Sequence, residues 1–257
     1  MSISASQVKE LREMSGVGMM ECKKALVETN GDLQQALDLL RANSSLKAEK
    51  KASRVAADGA VKVAETSSYV SLVEINSETD FAAKDAQFKD FTSTVADSLA
   101  SSQIDSIEVL NEAFDAQRQT LIQSIGENIQ LRRLSTLTIS DGGSIGSYIH
   151  SDGRLAALVS LNVDNQDLAR DIAMHVSATS PRCLTSDDMD PELLAREKAI
   201  YIAQAEESGK DAAIMEKMVE GKVKRFLSEV ALVSQGFVKN PDQSIQELLD
   251  DSDASII

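Results

Sequence analysis

Cysteine, aromatic residues and catalytic motifs are all scarce in this sequence. Its 257 residues include two cysteines, no tryptophan, three tyrosines and six phenylalanines. Cys22 and Cys183 are too few for a disulfide scaffold and lack the paired spacing of a zinc site, so we expect a reducing cytoplasm. So few aromatic residues favour aliphatic, helix-rich cores and make cofactor-stacking sites hard to build. We therefore expect neither a cofactor nor a bound metal.

Positive charge is also in deficit. The chain has 26 lysines and arginines against 41 aspartates and glutamates, a formal net charge of −15 with neutral histidines. A protein that binds nucleic acid through its phosphates needs the opposite balance, so nucleic acid is not an expected partner. No run approaches the roughly 18 apolar residues of a membrane span, and the N-terminus lacks the pattern of a signal peptide. Export and membrane insertion are not expected.

No residue pattern supports catalysis. The sequence contains no H-x-x-x-H, C-x-x-C, P-loop or dinucleotide-binding glycine pattern. His175 and Cys183 are close in sequence, but His175 adjoins the apolar stripe of one predicted helix and Cys183 lies beyond Pro181. This arrangement favours a structural histidine over a nucleophilic pair. We expect a protein that is not an enzyme.

The first 42 residues have the pattern of three short helices. Ser4 and Gln7 form a capping-box pattern at the start of the first helix, Gly16 to Gly18 end it, and Asp32 opens the third. Apolar stripes this short must cover one another, so residues 1–42 are predicted to form a compact three-helix bundle.

Met19 and Met20 directly follow the glycine turn. Successive helical residues point about 100° apart, so one methionine is predicted to face inward while the other stays nearly free for an adaptable protein interface. Burial of both methionines in the bundle core is the alternative.

A predicted linker at residues 43–59 carries a local excess of positive charge. Its basic residues repeat at i, i+3, i+4 and i+7, which would place them on one face of a helix: Lys47, Lys50, Lys51 and Arg54. A solvated connector explains this pattern. A basic face that meets an acidic partner or ribosomal RNA is the alternative.

From residue 60 the apolar period becomes alternating, and one unit occurs twice. A predicted hairpin with strands at 61–63 and 69–76 is followed by a helix, and so is a second hairpin with strands at 145–150 and 155–162. The strands align at an offset of 86 residues and the helices at 77, so the first copy carries nine extra residues, at about 77–85.

That extra stretch, SETDFAAKD, is a candidate functional loop because the second copy closes without it. It places Asp80 beside Phe81, its single large apolar side chain. The alternative is that Phe81 packs into its own core and that Asp80 caps a helix beginning at 81 or 82.

The core is predicted to comprise two subdomains, residues 60–140 and 141–186, with a helix at 107–129 and a strand at 129–139 between the repeats. Residues 187–233 are predicted to form two helices, at 192–208 and 211–232. Their apolar residues are sparse, so this hairpin is expected to project from the body or to meet another chain.

Residues 234–257 are predicted to form a surface segment with one amphipathic turn, made by Ile245, Leu248 and Leu249. The predicted fold class is therefore α+β, with an N-terminal three-helix bundle, a duplicated hairpin-helix core and an antiparallel helical hairpin.

Five blocks of the sequence resemble the translation elongation factor Ts family, the nucleotide-exchange factors of elongation factor Tu. In the family's order they are SQVKELREMSGVGMMECKKAL, KAEKKASRVAADG, EINSETDFAAKD, IGENIQLRR and DIAMHVSATSP, and they span about residues 6 to 240. The resemblance implies a ubiquitin-associated-like (UBA-like) bundle and a coiled-coil hairpin. It also implies a bacterial cytoplasmic protein that binds elongation factor Tu, as a 1:1 complex or a dimer of that complex.

The resemblance also implies which residues contact the partner. Four match the positions with which the family's bundle grips the GTPase: Arg12, Met19, Met20 and Lys23. Four match the loop inserted near the GTPase's magnesium ion: Thr79, Asp80, Phe81 and Ala82. Three match contacts elsewhere: His150, Phe237 and Val238.

The sequence departs from the family pattern at two places. Residue 82 is alanine where valine is commoner, which we expect to reduce slightly the volume of the inserted loop. The chain stops at Ile257 where family members continue into a strand and a helix, so we expect a lower affinity and an exposed strand edge.

The implied mechanism is exchange by differential binding, without proton transfer. The hypothesis is that Phe81 wedges between helices of the GTPase while Asp80 hydrogen-bonds there, holding the magnesium-binding region out of place. By thermodynamic linkage, nucleotide and exchange factor then lower each other's affinity for the GTPase by the same ratio. A UBA-like adaptor without exchange activity is the alternative function.

Overall fold

The computed structural model describes residues 3–257, which contain both helices and strands. This mixture agrees with the predicted α+β class. Two compact units are present: residues 3–138 with 149–155, and residues 139–148 with 156–257. None of the described helices is both long enough and apolar enough to cross a membrane.

The first unit begins with three helices that share one apolar core. The predicted capping box is confirmed, because Ser4 and Gln7 each bond the other's backbone, and Gly16 ends the first helix at a left-handed φ of 67°. Leu11, Cys22 and Leu26 are fully buried between the helices. The helix bounds are α1 Ala5–Ser15, α2 Met19–Glu28 and α3 Leu33–Lys51.

Helix α3 runs nine residues further than the sequence pattern predicts, into the expected linker. Ser44 and Ala48 are buried, and the Ser44 hydroxyl bonds both the Leu40 carbonyl and the side chain of Gln123. Burial of Ser44 and Ala48 keeps the segment helical, because most helical stability comes from tertiary packing.

The basic residues of that segment make contacts within the chain. Lys47 Nζ lies 2.7 Å from a Glu21 carboxylate oxygen, and Lys51 Nζ donates to the carbonyl of Ile122 at 3.4 Å. Desolvation by the surrounding protein lowers the pKa of Lys51. Arg54, beyond the helix, lies 3.5 Å from Glu78. These contacts engage much of the positive charge internally, which favours a connector over a basic binding face.

An antiparallel sheet in the order β1-β2-β3 forms the rest of the first unit. Helices pack on it around fully buried Phe88, Val95 and Ile122. The expectation of an aliphatic core is not met here, because phenylalanines are buried among the aliphatic residues. The first hairpin-helix unit is confirmed. The bounds are β1 Asp58–Glu65, β2 Tyr69–Ser77, α4 Asp80–Lys84, α5 Ala86–Ser101, α6 Ile107–Ile125 and β3 Ile129–Thr138. Helix α6 ends four residues earlier than predicted because Gly126 adopts a left-handed φ of 89°.

The second unit contains the second hairpin-helix repeat, which is also confirmed. Gly146 of β4 faces α7 so closely that a methyl group there would overlap the backbone of Ala169 and Arg170. The bounds are β4 Ser144–Ile149, β5 Ala156–Leu161, α7 Gln166–Thr179, α8 Pro191–Glu206, α9 Ala212–Val230, β6 Gly236–Phe237, β7 Asn240–Ser244 and α10 Ile245–Asp250. Helices α8 and α9 pack on each other, and their buried residues are Ala205 and Val219, so the predicted sparse burial is confirmed.

The amphipathic turn predicted in the C-terminal segment is confirmed as α10. It packs in the core of the second unit, so the prediction of a surface segment is wrong. Ile245 and Leu249 are 0% and 2% exposed and pack in the cluster that contains α7. The last residues pair with β5: Ile257 N–H donates to the Ser160 carbonyl at 3.0 Å, and Ile256 forms a bridge with Leu161. The expected exposed edge is therefore covered, because the tail supplies the missing backbone partners.

Candidate partner-binding site

The extra stretch of the first repeat forms the short helix α4. Thr79 precedes it in an extended conformation, with φ −129° and ψ 160°, and its hydroxyl accepts a hydrogen bond from the Ala82 N–H at 3.3 Å. Asp85 ends α4 and caps α5, accepting from the N–H of Gln87 at 2.8 Å. Two caps six residues apart thus hold one helical turn on the body. We call Thr79 to Ala82 the TDF segment.

Phe81 points into solvent. Its exposed fraction is 80%, whereas that of the next residue, Ala82, is 4%. The alternative that Phe81 packs into its own core is therefore wrong, and so is capping by Asp80, because Thr79 is the N-cap. Since Ala82 is buried, the absence of valine there removes no volume from the exposed surface. A large aromatic group left in water is the kind of feature that marks a protein-binding surface.

Asp80 occupies the first position of α4 and pairs with a residue of the same helix. Its carboxylate lies 2.7 Å from Nζ of Lys84, four residues on. The hydrogen bond and charge of Lys84 hold the pKa of the Asp80 carboxyl below its usual range, and the charge of Arg154 contributes in the same direction. Asp80 is therefore an ionised hydrogen-bond acceptor beside Phe81 near neutral pH.

The turn after α6 holds the start of the TDF segment through the Glu127 side chain and the Asn128 backbone. Glu127 accepts hydrogen bonds from the Thr79 N–H at 2.9 Å and from the Thr79 hydroxyl at 2.7 Å. In return, the Asn128 N–H donates to the Glu78 carboxylate at 2.6 Å. The sequence interpretation assigned Glu127 no role. Its position just after the C-terminus of α6, where the helix dipole disfavours negative charge, was the available signal.

A cleft of about 430 Å³ adjoins α4 and is lined by both Asp80 and His150. The turn that carries His150 is docked on β1: the Val61 N–H donates to the Gly153 carbonyl at 2.8 Å, and Arg154 bonds both carboxylate oxygens of Asp58 at 2.6 and 2.8 Å. The structure thus brings together two predicted contact residues that are 70 positions apart in the sequence. Four cations line the cleft, in contrast to the net charge of the chain: Lys62, Lys84, Lys89 and Arg154.

The four predicted contact residues of the bundle are all exposed. Met20 is 76% and Met19 47% exposed, so burial of both is wrong, and neither faces fully inward. The reason is that Val17, 2% exposed, and fully buried Cys22 fill the adjoining core. Both thioethers are therefore available to a partner, as are Arg12 and Lys23.

The Phe237-Val238 pair is divided between core and surface. Phe237 is 6% exposed and packs in the core of the second unit, with its ring centroid 6.1 Å from that of His175. Val238 is 44% exposed, and its N–H donates to Nδ1 of His175 at 3.2 Å. Val238 is therefore accessible to a partner, while the buried ring of Phe237 anchors the end of β6 in the core.

His175 is a structural residue, as predicted. Its ring is fully buried and lies between Gln235 Oε1, 2.9 Å from Nε2, and the Val238 N–H. Because Nδ1 accepts from Val238, the proton of the neutral ring is on Nε2 and is donated to Gln235. Burial lowers the pKa of His175, whereas desolvation and Asp188 raise the pKa of the Cys183 thiol. Neither group is prepared for nucleophilic catalysis.

The expectation that no catalytic pattern occurs is wrong at one place, because residues 142–146 match the nucleophile-elbow pattern G-x-S-x-G. That pattern needs an exposed serine on a strand-to-helix turn. Ser144 is instead 3% exposed at the start of β4, where its hydroxyl donates to the Val163 carbonyl at 2.8 Å and accepts from the Asn165 N–H at 3.1 Å. Its role is structural. Over residues 3–257, no group of three or more potential ligands could hold a metal ion.

Sequence comparisons give this surface its context. A family model described as Elongation factor TS matches residues 78–257, a region that includes the whole TDF segment. The protein named Elongation factor Ts of Hahella chejuensis is 48% identical over 259 residues, covering 100% of this chain and 90% of the relative. Those of Saccharophagus degradans and Marinobacter nauticus are 48% and 45% identical, each covering 100% of this chain and 89% of the relative. On this extent of similarity, the chain belongs to the elongation factor Ts family.

Proposed function

We propose that this protein releases GDP from elongation factor Tu by inserting Phe81 into the GTPase and displacing its magnesium-binding region. The exchange role itself follows from membership in the elongation factor Ts family. The carrying observation for the mechanism is the 80% exposure of Phe81 on a helix that is capped at both ends.

Insertion of Phe81 supplies the energy that the mechanism requires. A desolvated aromatic anchor contributes roughly 2 to 4 kcal/mol, equivalent to a factor of about 30 to 1,000 in an equilibrium constant. Asp80, kept ionised by Lys84, accepts a hydrogen bond from the GTPase beside the inserted ring. Ala82 lies on the buried face of α4 and supports the wedge without touching the partner.

Exchange requires that the factor bind one state of the GTPase better than another. An exchange factor that fits the magnesium-free state shifts the population of the GTPase toward that state. It lowers the affinity for GDP by the same ratio by which GDP lowers the affinity for the exchange factor. Incoming nucleotide then expels the factor. The residues of this chain only bind and displace, since no bond is made or broken.

The N-terminal bundle, residues 1–42, is the second attachment point. It grips the nucleotide-binding domain through four exposed residues: Arg12, Met19, Met20 and Lys23. We assign His150 to the same interface as the TDF segment because the cleft it lines adjoins α4, and we assign Val238 to a separate contact.

The finer architecture is part of the same proposal. We propose that the bundle is UBA-like and that the residues after α3, 52–59, are a connector. We further propose that 60–140 and 141–186 are the two core subdomains, 187–233 a coiled-coil module and 234–257 the C-terminal segment. Sparse burial along α8 and α9 supports a second copy of the complex meeting this module. The assembly operates in the bacterial cytoplasm.

Release of fluorescent GDP from elongation factor Tu tests the wedge. The full chain is expected to accelerate release, and Phe81→Ala to lose most of that acceleration while binding persists through the bundle. Val55→Ala is the matched control, because Val55 is also 80% exposed in the first unit and lies outside the proposed interface. Normal acceleration by Phe81→Ala would refute the wedge, and binding without acceleration by the unmodified chain would indicate an adaptor.

A further inference from the structure

We propose that Glu127 is a positioning residue for nucleotide exchange: its carboxylate locks Thr79 so that α4 presents Phe81 in one orientation. This inference depends on the proposed function of Phe81. It concerns the turn after α6, which lies outside the TDF segment.

The geometry of Thr79 is the first argument. The hydroxyl of Thr79 has one proton and two lone pairs. The proton is donated to Glu127 at 2.7 Å, which leaves a lone pair for the Ala82 N–H at 3.3 Å. The second carboxylate oxygen accepts the Thr79 N–H at 2.9 Å. Glu127 therefore fixes both the backbone and the hydroxyl rotor of the residue that starts α4.

The length of α4 is the second argument. It has five residues, far fewer than an isolated helix needs to be stable in water. Its orientation must therefore come from tethers at its ends. Asp85 supplies the tether at the C-terminal end, and Glu127 supplies the one at the N-terminal end.

The rigidity of the anchor is the third argument. Asn128, next to Glu127, is 1% exposed. Its N–H donates to Glu78, and its side chain donates to the Arg54 carbonyl at 2.8 Å and the Ala52 carbonyl at 3.4 Å. The turn is thus fixed by the residues that follow α3, and Glu127 extends from this fixed point to the TDF segment.

Loss of the carboxylate would affect the wedge more than the fold. The Glu127 bonds are at the surface, where removal of a charged group changes overall stability little. Helix α4 would then sample other orientations, and the rate of exchange would fall with the fraction of molecules that hold Phe81 in place. The bundle contacts would remain, so binding would change less than the rate within the complex.

The test compares variants in GDP release from elongation factor Tu at increasing factor concentration. Glu127→Ala is expected to lower the maximal release rate about tenfold, the loss of one charged hydrogen bond, with the half-saturating concentration changed less than about twofold. Glu127→Gln keeps an acceptor for the Thr79 N–H and is expected to recover most of the rate. Glu112→Ala is the control, because Glu112 is an exposed glutamate of α6, the helix that precedes Glu127, and this variant is expected to behave like the unmodified chain.

A double-mutant comparison separates positioning from general damage. Thr79→Val removes the hydroxyl bond to Glu127 and leaves the Thr79 N–H bond. Adding Glu127→Ala to Thr79→Val is therefore expected to slow release less than Glu127→Ala slows it in the unmodified chain. An unchanged maximal rate for Glu127→Ala, or a loss that matches a fall in thermal stability and is not rescued by Glu127→Gln, would overturn the inference. A low release rate for Phe81→Ala with a normal rate for Glu127→Ala would reject the positioning role of Glu127 and leave the wedge in place. A normal release rate for Phe81→Ala would reject the wedge itself.

Discussion

Phe81 and Ala82 are adjacent on one helical turn, yet the first is 80% exposed and the second 4% exposed. The cap from Thr79 to Ala82 sets this orientation, with one side chain toward the body and its neighbour toward solvent. Position 82 is therefore expected to contribute to stability and position 81 to partner binding.

Substitutions at the two positions are therefore expected to change stability by different amounts. Phe81→Ala is expected to change the free energy of unfolding by less than about 0.5 kcal/mol, because little buried area is lost. Ala82→Leu is expected to destabilise the fold by roughly 1 to 3 kcal/mol through overpacking. Urea denaturation of both variants measures the difference, and a large loss for Phe81→Ala would mean that its ring contributes to the native core.

Met20 is expected to act in binding. Met20→Ala should weaken complex formation with elongation factor Tu by about 1 to 2 kcal/mol and change GDP release from the saturated complex less, because the bundle grips and does not wedge. Val27→Ala on the same helix is the control, since Val27 is 57% exposed and outside the proposed contact. Isothermal titration measures the affinity; equal affinity for Met20→Ala and the unmodified chain would remove this methionine from the interface.

His175 predicts a pH dependence of stability. Burial holds its pKa in the folded protein below the ordinary value of about 6.5, so the unfolded chain binds a proton that the folded chain does not. This stabilisation is complete above pH of about 6.5 and decreases as the pH falls from there toward the folded-state pKa. The free energy of unfolding in urea should therefore be lower at pH 5.5 than at pH 7.5.

His175→Asn keeps an acceptor for the Val238 N–H but cannot titrate in this range, so its stability should depend less on pH. His150→Asn is the control, because His150 is exposed. Equal pH dependence in His175→Asn and the unmodified chain would assign the effect to other groups.

Two glycines with different surroundings test the packing of the second unit. Gly146→Ala should cost more than about 3 kcal/mol or prevent folding, because the new methyl would overlap the backbone of Ala169 and Arg170. Gly221 lies in α9 with open space around it among the described residues. Gly221→Ala should therefore raise the free energy of unfolding by about 1 kcal/mol, because alanine has a higher helix propensity than glycine. Guanidinium denaturation measures both; similar stabilities for the two variants would contradict the close approach of β4 and α7.

The sequence predicted the elements well where one apolar period was strong. The alternating strands of the two hairpins correspond to the observed β1, β2, β4 and β5, and the stripe from Phe88 to Leu99 corresponds to α5, because burial of one face enforces the period. It failed at the C-terminal end of α3 and in the placement of residues 240–257. There the deciding contacts are with distant residues, such as Gln123 for Ser44 and Leu161 for Ile256.

The candidate site shows the same division. Comparison of the two repeats located the extra stretch and singled out Phe81, because an insertion changes the spacing of residues along the chain. The exposure of Phe81 and Met19 could not be predicted, because each depends on which neighbours fill the core first. Glu127 was missed because its partner Thr79 lies 48 positions away and shares no periodic pattern with it.

By itself the sequence determined the α+β class, the duplicated unit, the inserted stretch and the family resemblance, since each is encoded in the order and spacing of residues. The tertiary structure alone decided which of these residues are exposed, that Asp80 and His150 line one cleft, and that Glu127 holds Thr79. The physical reason is that exposure and hydrogen-bond partners depend on contacts between distant parts of the chain, which form when the helices and strands pack together.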